Sequence, residues 1–60
     1  MTYEESIEIL KGEITDDGGL YSLGHYMAYM KGSSEIVLDD TFDLVELEAI
    51  VTYMKGNTKL

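Results

Sequence analysis

Apolar residues recur at helical spacing over three stretches of this chain. The clearest lies in residues 38–56. Leu44, Leu47, Val51 and Met54 follow a 3.6-residue period, with Ile50 widening the stripe. Its ends are marked too. Asp43 is a good N-cap with Glu46 completing a capping box, and Phe42 is placed to fold against Leu47 as a hydrophobic staple. Lys55 suits the negative end of the helix dipole, and Gly56 supplies a left-handed stop. Near the start, Thr2 and Glu5 form a second capping box, and Tyr3, Ile7, Leu10 and Ile14 make a narrow stripe that Lys11-Gly12 interrupts. Ile14 belongs either to this helix or to the next segment. The middle stretch places Leu20, Leu23, Met27 and Met30 on one face, while Tyr21, Tyr26, Ala28 and Tyr29 leave few polar positions. A helix apolar nearly all round is buried on more than one side.

Between these stretches, Asp16-Asp17-Gly18-Gly19 reads as a turn, residues 35–38 as a short β-branched strand, and Asp39-Asp40 as the turn into the last helix. Residues 57–60 read as a frayed tail. An echo runs through the chain: Lys11-Gly12, Glu13-Ile14, Asp16-Asp17 and Tyr29-Met30-Lys31-Gly32 return as Lys31-Gly32, Glu35-Ile36, Asp39-Asp40 and Tyr53-Met54-Lys55-Gly56. It suggests either a strand–turn–helix duplication, with strands at 13–15 and 35–38 pairing into a ribbon, or convergent helix stops. The expected fold is mainly α with minor β. Three short helices and one short strand or two-stranded ribbon form a single small domain over residues 1–60. Its expected core is Ile7, Leu10, Leu23, Met27, Leu47, Val51 and Met54.

Length and charge then narrow the partners. Sixty residues bury only about 60% of their unfolded surface, and no cysteine is present to staple them. Association is the remaining common route to stability, and a homodimer through the middle stretch, with Tyr26 or Tyr29 near its axis, is expected. A net charge of -8 argues against direct nucleic-acid binding and against an anionic membrane surface. No segment approaches a membrane span, and the acidic N-terminus lacks the basic start of a signal peptide, so a cytoplasmic location is expected.

Two groups of residues carry candidate chemistry. Glu35, Asp39, Asp40, Asp43 and Glu46 crowd the entrance of the last helix with the cadence of a calcium loop. In that frame Glu46 is the twelfth ligand, but Val37 falls on a ligand position and Asp40 on the turn glycine. Capping plus a solvated acidic turn accounts for the same residues, so no metal and no cofactor is assigned. The second group is Tyr21, Tyr26 and Tyr29 with Met27 and Met30, residue types common in recognition faces as well as in cores. His25 is a lone histidine, read as a partly buried polar group or an interface contact rather than a ligand, and no nucleophile–base pair stands out, so an enzyme is not expected. The candidate partner-binding set is Tyr21, Tyr26, Tyr29, Asp39, Asp40, Asp43, Glu46 and Glu48.

Residues 38–56, with Leu38, Asp39, Asp40, Phe42, Glu46, Leu47, Ala49 and Ile50 as the matching positions, resemble a segment of small, acidic, mostly uncharacterised phage and prophage proteins. The resemblance implies a mobile-element origin and a role in blocking host machinery. The expected function is a non-enzymatic protein-interaction module, an inhibitor that presents carboxylates to a basic, nucleic-acid-processing host protein in its cytoplasm. The rivals are a self-associating accessory module and a degenerate divalent-metal-binding helix–loop–helix.

Overall fold

Both capping boxes form. Thr2 N–H donates to Glu5 Oε1 at 2.8 Å and Glu5 N–H to Thr2 Oγ1 at 3.2 Å, opening helix α1 (Tyr3–Ile9). Asp43 N–H donates to Glu46 Oε1 at 3.3 Å at the start of α2 (Leu44–Asn57). A computed structural model describes residues 1–58. Between the helices it holds three strands, β1 (Leu20–Ser22), β2 (Met27–Tyr29) and β3 (Val37–Leu38), in one antiparallel sheet of order β1-β2-β3. Lys59 and Leu60, half of the tail expected to fray, lie outside the described residues.

The fold is therefore two helices and a three-stranded sheet, which corrects the expectation of three helices with minor β. The middle stretch is a hairpin. Leu20 pairs with Tyr29, Tyr21 with Ala28 and Ser22 with Met27. Leu20, Met27 and Tyr29 are buried on one side, while Tyr21 stands on the other. An interior glycine costs a helix about 1 kcal/mol, and tyrosines fit a pleated, half-buried surface, so Gly24 and the tyrosines disfavour the helix. The strands are too short for their alternation to outweigh a chance helical spacing. The expected ribbon changes partner as well. Ile14 bridges to Leu20, whereas β3 pairs with β2 through Met27–Leu38 and Ala28–Val37. No strand–turn–helix duplication survives, because its first "helix" is this hairpin.

The core joins the inner face of the sheet to α2: Leu10, Leu20, Met27, Tyr29, Ala49, Ile50 and Tyr53 are buried together. Of the expected core, Leu10 and Met27 belong to it. Met54 packs against it half-buried, Leu47 is half-buried, Ile7 and Val51 are exposed, and Leu23 is 91% exposed. α1 packs on α2, where the fully buried Ser6 and Ala49 are small enough for close approach. Tyr53 ties the layers. Its ring stacks on Tyr3, meets Tyr29 edge-on, and its hydroxyl donates to Gly18 O at 2.6 Å. Among the described residues no helix is long and apolar enough to cross a membrane.

Candidate functional site

The hairpin and the β3–α2 connection meet at one end of the sheet. The loop over residues 23–26 is held from within by His25 N–H donating to Ser22 Oγ at 3.3 Å. It is held from outside by Asp39 N–H, which donates to Tyr26 O at 2.9 Å. One Asp40 oxygen accepts from Thr41 N–H at 2.7 Å, and the other lies 3.9 Å from His25 Nδ1. The His25 ring rests on Phe42 at 5.2 Å, and Phe42 packs against the core. Two loops far apart in sequence thus make one platform. It carries Leu23, Tyr26 (53% exposed) and the carboxylates of Asp39 and Asp40.

Tyr21 stands beside this platform rather than on it. The strand register sets Tyr21, Ala28 and Val37 in one row across the outer face of the sheet, with Tyr21 and Val37 exposed. That face opens into a shallow hollow of about 790 Å³ between the turn at Asp16 and Asp17 and the edge at Met30 and Glu35. In the turn, Asp17 accepts from Thr15 Oγ1 and from Gly19 N–H. The Thr15 hydroxyl chiefly, and the Gly19 N–H after it, hold the Asp17 carboxyl below the usual aspartate range.

The structure splits the expected site. Tyr26, Asp39 and Asp40 come together, and Tyr21 flanks them. Tyr29 is buried against Tyr53, so it offers no surface to a partner, and a dimer built on a middle helix loses both its helix and this residue. Asp43 and Glu46 are engaged in the α2 cap. Glu48 lines a separate groove on α2 with Leu44, Leu47 and Val51. Sequence reasoning missed Leu23 and Phe42 as parts of the platform, while His25, expected as a partly buried polar group or an interface contact, is half-buried within it. Gly24 beside His25 was the available sign of a loop at that point.

The helix–loop–helix frame of the metal reading is absent, since residues 20–30 form a hairpin. Among the described residues no group of three or more His, Cys, Asp or Glu side chains is placed to hold a metal ion. Comparison with protein-family models, with curated proteins and with solved structures finds no match to this chain.

Proposed function

We propose that the chain is a non-enzymatic interaction module that engages a basic partner protein through the platform of Leu23, Tyr26, Asp39 and Asp40. One observation carries the reading: the Asp39 N–H to Tyr26 O bond holds the backbone of an exposed tyrosine against a segment with two exposed aspartates. A surface already held in place loses less loop freedom on binding, and tyrosine supplies contact area at low rotamer cost. The net charge of -8 selects a basic partner and speeds its approach. A groove built for phosphates is such a surface, and carboxylates seated in it exclude nucleic acid. On this reading the protein inhibits a nucleic-acid-processing protein of its host, in keeping with the phage-type resemblance of residues 38–56.

The test is capture from host lysate on immobilised protein, with mass spectrometry of what is held. The wild type should retain a basic nucleic-acid-binding protein that duplex DNA then releases. Asp39→Lys/Asp40→Lys and Tyr26→Ala should lose it. A captured protein that DNA does not release removes the phosphate-groove reading. Capture undiminished in the lysine variant moves the binding surface elsewhere.

A further inference from the structure

α2 carries more apolar surface than the fold covers. Ala49, Ile50 and Tyr53 enter the core. Leu44, however, is 79% exposed and Val51 50%, Leu47 is only half-buried, and Met54, though packed in part against the core, is half-buried too. These last four residues fall on one stripe of the helix. Two hollows of similar size flank Val51 along it. The first, about 300 Å³, is lined by Met1, Leu44, Leu47, Glu48 and Thr52. The second, about 350 Å³, is lined by Ser34, Met54, Lys55 and Thr58. Among the described residues each hollow holds one charged side chain, and the signs are opposite: Glu48 in the first, Lys55 in the second.

Turned end for end, this stripe brings each hollow over the oppositely charged hollow of a second copy. We propose that it is the contact surface for a second copy of the chain, α2 lying antiparallel on α2 with a two-fold axis at Val51. An isologous contact of this kind sets residues equally far before and after the axis against one another. Leu47 then faces Lys55 of the other copy, Glu48 faces Met54, and Leu44 faces Thr58. Each Glu48 carboxylate comes beside a Lys55 ammonium, while the Met54 side chain and the lysine stem lie over Leu44 and Leu47. Parallel pairing would set Glu48 on Glu48 and Lys55 on Lys55.

Charge also argues for a second copy rather than a basic partner. Each chain carries a net charge of -8 and repels its like over most of its surface. Among the described residues of this stripe one acid and one lysine cancel, so it is a place where two such chains can meet, and these residues offer a basic protein no excess of carboxylate. The stripe is separate from the platform of Tyr26 and Asp39, and the proposal stands whether or not that platform has a partner.

Sedimentation equilibrium on the wild type, Glu48→Lys, Lys55→Glu and the double charge swap decides the matter. The wild type should reach twice the 6.7 kDa chain mass at high concentration. Each single variant should weaken association about tenfold, because one substitution turns two symmetry-related attractions into repulsions. The double swap should restore it. Val51→Asp should abolish the dimer with circular dichroism unchanged, since Val51 lies outside the core. A wild type that stays at 6.7 kDa into the millimolar range overturns the proposal. So do single variants that associate like the wild type, and a double swap that fails to recover.

Discussion

At Gly56 two consequences of a single methyl group oppose each other. Alanine in a helix interior is worth about 1 kcal/mol over glycine. A Cβ at this position, however, would overlap the ring of Tyr3. That ring stacks on Tyr53 with centroids 5.8 Å apart, and its hydroxyl accepts from Asn57 Nδ2 at 3.0 Å. Displacing it forfeits a stacking contact of about 0.5–1.5 kcal/mol and a hydrogen bond of about 1 kcal/mol. Gly56→Ala should therefore cost about 1 kcal/mol in urea unfolding, yet stabilise by about 1 kcal/mol in a Tyr3→Ala background. Equal effects in both backgrounds would mean that the ring does not press on the helix. Asp17 gives a second test at this scale. Its folded pKa is depressed, so its contribution to stability is complete above the unfolded value, about pH 4, and is lost as pH falls through the lower folded value. The stability gap between the wild type and Asp17→Asn should be steady at neutral pH and close below about pH 4. Glu5, depressed by the Thr2 backbone N–H and then its hydroxyl, titrates in the same window in both proteins and so cancels from the gap.

Among the elements, α2 separates what periodicity shows from what burial decides. The capping box at Asp43 and Glu46 and the helical spacing were both legible in the sequence, but two apolar stripes run along this helix and spacing alone cannot rank them. The structure buries Ala49, Ile50 and Tyr53 against sheet and α1, and leaves Leu44 and Val51 outside. Ile50→Ala should cost about 2–5 kcal/mol, whereas Leu44→Ser should change the monomer's stability by no more than about 0.5 kcal/mol. Thermal unfolding in dilute solution compares the two, and equal losses would contradict this assignment. The same tetrapeptide, Tyr-Met-Lys-Gly, leads out of β2 from its last residue and recurs within α2. Gly32 has a φ of 90° and turns the chain, while Gly56 stays helical beside Tyr3. Local sequence thus left both conformations open, and the neighbours chose. The same holds for the candidate site: Tyr26 was legible as a recognition residue, but its joining to Asp39 depended on a hairpin that helical spacing concealed.

For the molecule as a whole, the reach of its charge depends on salt. Screening acts over about 8 Å at physiological ionic strength and about 30 Å at 0.01 M. The longest dimension is 28 Å. Asp16 and Asp17 lie at the Leu20–Tyr29 end of the sheet, while Asp39 lies at the Met27–Leu38 end. Strand rise alone separates the two ends by roughly 7–10 Å. With the proposed basic partner, Asp39→Lys/Asp40→Lys should slow association at both ionic strengths, and Asp16→Lys chiefly at the lower one. Stopped-flow measurement of the association rate tests this. Equal sensitivity to Asp16→Lys in high and low salt would place the contact near the Asp16 turn instead.

By itself the sequence determined the helix starts, the turn at Asp16-Asp17-Gly18-Gly19 and the strand character around Val37, because caps, turns and β-branched residues act within a few neighbouring positions. It determined the acidic surface as well, since charge is additive. Only the tertiary structure decided that residues 20–30 pair as a hairpin, that Tyr29 faces inward while Tyr21 faces out, and which stripe of α2 is core. Each of these depends on contacts between residues distant in the chain, where one apolar pattern fits two arrangements. The arrangement found is the one that buries Leu20, Met27 and Tyr29 against Ile50 and Tyr53.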